Sequence, residues 1–177
     1  MGCEFTAWAY EQPCDQTGGV ESIFVGSHTG NADTTFQTLT IVAGEVTAIS
    51  LNTGKKMELW SVEMETANFT QSSAGERATS SSSVTQTGVT TLIGYDDVMS
   101  KNLSTLIKSK VFVIAKDNEG VFRVYFHKYG AKAQIEEGTG TAMEDMNGST
   151  VTFTSKDKDF APVISSALMA SLLIAAV

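Results

Sequence analysis

Short runs of β-branched and aromatic residues, separated by Gly, Asn and Asp, recur from Gly18 onward, the pattern of a sheet-rich domain with tight turns. Strands are predicted at Val20–Val25, Thr34–Val42 and Glu45–Leu51, the last two joined as a hairpin through Ala43-Gly44. Lys56–Glu65 alternates with period two: Met57, Leu59, Ser61 and Glu63 take one face, and Glu58, Trp60, Val62 and Met64 take the other. Neither face is wholly polar. This strand is therefore expected inside a sandwich or against a neighbouring subunit.

Between Gln71 and Thr91 the chain turns to Ser, Thr, Gly and Gln, which alone bury too little apolar area to offset the entropy of ordering. Two readings fit: a flexible surface loop, or a long exposed β-hairpin arm held by another chain. Asp96 and Asp97 then precede Val98, Met99, Leu103, Leu106 and Ile107, a spacing that predicts one Asp-capped helix over 96–108 with its apolar stripe on the sheet. Lys110–Ala115 and Val121–Phe126 flank Asp117-Asn118-Glu119-Gly120, whose residues suit a hairpin turn. A short strand at Ala131–Ile135, a glycine-rich stretch and a last strand at Gly148–Ser155 are expected to close the core domain.

The segment Ala161–Val177 carries no charged side chain. Spanning a bilayer takes about 20 apolar residues, and this stretch is shorter and contains Pro162 and three serines, so docking into protein is expected and no membrane partner. With 177 residues, one domain with appendages is expected: an N-terminal arm over 1–17, a β domain over 18–160 and an apolar C-terminal arm over 161–177.

Twelve Lys and Arg against 20 Asp and Glu give a net charge of −8, which argues against tight binding of nucleic acid and suits a conduit better than a clamp. Cys3 and Cys14 have no further Cys or nearby His to complete a zinc set and are read as free thiols. The start, MGCEFTAWAYEQPC, lacks the basic and apolar regions of a secretory signal, so export is not expected; Gly2 and Thr6 match the loose myristoylation pattern, a weak signal. His28 and His127 sit in no catalytic motif, and Asp117, Asn118 and Glu119 lack the spacing of a calcium loop. Glu136-Glu137 and Glu144-Asp145 read as solvated acidic pairs, so no catalytic residue, cofactor or metal is expected.

The succession VTQTGVTTLIGYDD, VFVIAKDNEGVFRVYFHKYGAKA and GTGTAMEDMNGSTVTFTSKDKDFAP, over Thr85–Pro162, resembles major tail tube proteins of tailed bacteriophages, especially those of Bacteroidetes hosts. Gly18–Val25 is similar to the opening strand of that group, whereas Tyr125-Phe126-His127 and the apolar ending after Pro162 depart from it.

That resemblance implies an antiparallel β-sandwich or barrel with one flanking helix and extended arms, assembled as stacked hexameric rings whose lumen conducts DNA as non-specific cargo. It implies a place in the virion tail, assembly in the host cytoplasm, and tape measure, terminator and baseplate proteins as partners. Trp60, Val62, Met64, Val84, Val89, Leu168, Leu172 and Ile174 are the expected inter-subunit residues, and acidic residues are expected to line the passage. The C-terminal arm would bury its aliphatics on an adjacent ring, so its deletion would permit folding but impair polymerisation. Head-decoration, tail-terminator or injection-system tube proteins, and a bacterial surface or adhesion module, are the competing readings.

Overall fold

The computed structural model describes residues 17–28, 36–53, 55, 57–63, 65–76, 81–94, 96–140 and 147–175. In chain order the elements are β1 (Val20–Ser27), β2 (Phe36–Val42), β3 (Glu45–Leu51), β4 (Glu58–Ser61), β5 (Ala67–Glu76), β6 (Ser81–Ile93), α1 (Asp97–Leu106), β7 (Val111–Asp117), β8 (Phe122–Tyr125), β9 (Lys132–Gly138), β10 (Gly148–Asp157), β11 (Val163–Ile164) and α2 (Ser166–Ala175). They form a β-sandwich: a seven-stranded sheet, β2-β3-β11-β8-β7-β1-β4, and a four-stranded antiparallel sheet, β5-β6-β10-β9.

Alternation along the central strands divides the apolar side chains into two cores. Ile23, Val25, Val113 and Tyr125 point toward the four-stranded sheet and meet Ala133, Val151 and Phe153, with Leu103 and Leu106 of α1. Phe24, Phe112, Ile114 and Val124 point the opposite way and pack with Val46, Ile49, Ile164, Met169 and Leu172. The layers therefore run four-stranded sheet, seven-stranded sheet, α2. Because β7 is buried on both sides, its apolar run Val111–Ala115 is continuous and not alternating.

Turns follow local chemistry. Ala43 (φ 53°) and Gly44 (φ 84°) both take left-handed backbone, the geometry that matches hairpin twist in the predicted β2–β3 connection. The Asp117 carboxylate accepts from the N–H groups of Glu119 (3.1 Å) and Val121 (2.8 Å), organising the β7–β8 turn. Asp96 caps α1 by accepting from Met99 N at 2.6 Å. A Cβ on Gly88 would overlap the Phe69 ring, so β6 needs glycine where the aromatic of β5 crosses it.

Four expectations change. Two helices stand among the described residues: the apolar C-terminal segment is strand β11 followed by α2, packed on its own sheet instead of trailing as an arm. Gly148–Ser155 extends to Asp157 but does not close the domain, because β11 is inserted between β3, which it pairs in parallel, and β8, which it pairs antiparallel. The Gln71–Thr91 stretch is a hairpin, yet most of it belongs to the four-stranded sheet through β6–β10 pairing. The predicted strand Lys56–Glu65 is reduced to Glu58–Ser61; Lys56, Met64 and, for β2, Thr34 and Thr35 lie outside the described residues.

Removing residues 163–177 takes away both the bridge between β3 and β8 and one wall of the second core, so the truncated chain is expected to lose cooperative thermal unfolding by calorimetry. Met169 is 1% exposed, and Met169→Ala is expected to lower stability by about 2–5 kcal/mol in denaturant titrations.

Candidate functional site

The four-stranded sheet has, among the described residues, an open edge on each side. Among the described residues β5 pairs only with β6, and β9 pairs with β10, apart from one bridge between the preceding Ala131 and Val111. Edge strands are ordinarily blunted by charge, proline or irregularity. The β9 edge carries Lys132, Glu136 and Glu137, but β5 runs from Ala67 to Gly75 with neither a charged side chain nor a proline. Such an edge is a template for another strand.

The face of this sheet away from the core is built in rows. Phe69, Gly88, Phe153 and Ala133 are aligned across the four strands and point inward. The adjacent rows, Asn68-Val89-Thr152-Gln134 and Thr70-Thr87-Thr154-Lys132, therefore point outward. Hydroxyl and amide groups dominate, and among the described side chains charge on this face comes from Lys132 and Glu136 at the β9 edge and Lys156 near the end of β10. Past the row Ser73-Val84-Asp157, the hairpin continues on two strands through Ala74–Ser83, Gly75–Ser82 and Glu76–Ser81. A two-stranded ribbon without a third strand is marginally stable.

Most of the predicted inter-subunit residues face inward. Trp60 is opposite Ile23 in the β1–β4 register and so points into the inter-sheet core, its ring centroid 6.0 Å from that of Phe153. Val62 packs on the same core, and Val84 is 4% exposed. Leu172 is buried and Leu168 half-buried in the second core of their own chain. Val89 lies on the open face. Met64 and the side chain of Ile174 lie outside the described residues.

Sequence reasoning missed a polar corner that joins β1, the β8–β9 turn and β10. His28 Nε2 lies 2.7 Å from the His127 carbonyl oxygen, and the His28 N–H donates to Lys110 O at 2.9 Å. His127 Nδ1 is 3.8 Å from Asp157 Oδ2, while Lys128 Nζ is 3.9 Å from Asp157 Oδ1. Burial holds the His127 imidazole below its ordinary pKa; Asp157 opposes this, Lys128 reinforces it, and Asp159 and His28 add smaller opposing and reinforcing effects. Nearby, Phe126 takes left-handed backbone (φ 61°) and its N–H donates to Gln86 Oε1 at 2.7 Å, fully inside the sandwich. The available signal was period two: Val151, Phe153, Ser155 and Asp157 share the inward face of β10.

Between β5 and the β7–β8 hairpin lies a cavity of about 220 Å³ lined by Val20, Phe69, Asp117, Arg123 and Tyr125. Burial raises the Tyr125 phenol, with Arg123 lowering it and Asp117 raising it further. Among the described residues no three His, Cys, Asp or Glu are grouped to hold a metal ion, and no helix is long and apolar enough to cross a membrane. No family model, curated protein or solved structure matches the chain.

Gln86 is the buried acceptor for Phe126 N, so Gln86→Leu leaves that N–H without a partner and is expected to cost about 1–3 kcal/mol in chemical unfolding.

Proposed function

We propose that the chain is a structural subunit that joins β5 of one copy to β9 of the next, closing rings that stack into a DNA-conducting tube of the phage tail type. The observation that carries this reading is the β5 edge: ten residues long, with no charge before Glu76 and no β-partner on its outer side among the described residues. Strand direction alternates across β5, β6, β10 and β9, because each neighbouring pair is antiparallel. With four strands, β9 of one copy runs opposite to β5 of the next, so the same antiparallel ladder repeats at every junction. The two edges differ, which makes the contact heterologous, the type that generates closed rings when the rotation closes.

The thick side of each subunit, with the seven-stranded sheet and α2, takes the outside of such a ring, and the threonine-rich face takes the passage. A net charge of −8 leaves little to grip phosphate, as suits DNA that must slide. The resemblance of Thr85–Pro162 to tail tube proteins supports the same reading and carries with it a virion-tail location and tape measure, terminator and baseplate partners. In this role the chain catalyses nothing.

Negative-stain electron microscopy of the full chain is expected to show hollow rings or tubes. Thr70 and Ser72 are exposed on β5, so the double variant Thr70→Lys, Ser72→Lys is expected to keep its thermal midpoint within a few degrees yet remain monomeric. A wild-type monomer at every salt concentration would overturn the tube reading in favour of a decoration or surface module; unimpaired assembly of the variant would remove β5 from the contact.

A further inference from the structure

We propose that His127 and Asp157 form an acid-operated latch at the root of the β5–β6 tip, so that acidification frees the tip while the rest of the sandwich stays folded. This inference does not depend on the assembly reading.

Asp157 is the last residue of β10 and occupies the last row that has three strands, beside Val84 and Ser73. Both Asp157 (6% exposed) and Val84 (4%) are buried there, and the next three rows have only β5 and β6. Whatever moves the end of β10 therefore withdraws the third strand from under the departing ribbon, whose two strands are marginal alone.

His127 Nδ1 is buried with no hydrogen-bond partner, and the facing Asp157 Oδ2, at 3.8 Å, is beyond hydrogen-bond reach. Asp157 is engaged elsewhere: Oδ1 accepts from Lys158 N at 2.6 Å and faces Lys128 Nζ at 3.9 Å. A proton on Nδ1 has two ways to be accommodated. Either Asp157 is drawn toward the imidazolium and away from Lys158 N, which pulls on the end of β10, or the ring turns out to water, which removes the group that Asp157 faces there.

The groups facing His127 are Asp157 from β10, Lys128 from its own turn, Asp159 beyond β10 and His28 from the end of β1. Burial outweighs the two aspartates, so the closed corner favours the neutral imidazole more than an open, hydrated corner does. The closed form is favoured above the open-state value of about 6.5 and loses that advantage as pH falls below it. Phe112, Val113 and Ile114, buried at the centre of the seven-stranded sheet, take no part in the corner.

Amide hydrogen exchange of the full chain, compared at about pH 7 and about pH 5.5 after correction for intrinsic chemistry, is the test. Exchange at 73–76 and 82–84 is expected to quicken on acidification, with 112–114 unchanged. His127→Phe, which keeps bulk but cannot titrate, is expected to abolish the acceleration, and His28→Gln to retain it; exchange at 112–114 at neutral pH checks that each variant is folded. A wild type without acceleration, an acceleration that survives His127→Phe or is lost in His28→Gln, or equal acceleration at 112–114 overturns the latch. An NMR titration of the wild-type imidazoles gives a separate reading: His127 is expected to titrate below about 6.5, and titration at or above that value also overturns it.

Discussion

Burial of the centre of the seven-stranded sheet on both faces is the constraint on which the rest of the molecule depends. One face is covered by the four-stranded sheet, the other by α2, and the alternating side chains of β1, β7 and β8 supply both cores at once. A sheet of this kind cannot face water on either side without exposing Phe, Ile and Val. The four-stranded sheet is different: one face is packed and the other presents threonine, so the polarity of the molecule is set by which sheet is sandwiched between the other two layers. Exposed apolar side chains such as Val42, Leu59, Ile93 and Phe160 lie outside both cores.

Legibility from sequence tracked how local the determining physics was. The β7–β8 hairpin, the β2–β3 turn and capped α1 were readable because Asp117-Asn118-Glu119-Gly120, Ala43-Gly44 and Asp96 act on residues within a few positions. The segment Ser166–Ala175 was not readable as a docked helix, because apolar residues surround its axis and leave no stripe to announce which side is buried. Its covering role depends on β3, more than a hundred residues earlier in sequence terms, with which it makes contact.

The hairpin β5–β6 shows a different obstacle. Its inward set on β6 is Val84, Gln86, Gly88 and Thr90, in which small and polar residues outnumber large apolar ones. Composition alone points to a loop. What makes these positions interior is the aromatic bulk supplied by other elements: Phe69 over Gly88, and Phe126 whose backbone N–H reaches Gln86. The histidine corner is the extreme case, since His28 and His127 are 99 positions apart and meet only because β1 and β7 pair in register. Trp60 and Val62 were legible as two-sided strand residues, but the inward side proved to be their own core.

The parallel insertion of β11 also sets an order of events during synthesis. Until Val163 and Ile164 have been made, the seven-stranded sheet exists at most as two separate pieces, β2–β3 and β8-β7-β1-β4, with nothing to bridge them. Closing that gap joins segments distant in the chain, a step of high contact order that follows local hairpins instead of leading them. A nascent chain can thus complete the β5-β6-β10-β9 sheet, including its unguarded edge, before the opposite layer is whole. Synthesis itself exposes the sticky half first, which places a burden on whatever keeps growing chains apart until the last strand slides into its slot.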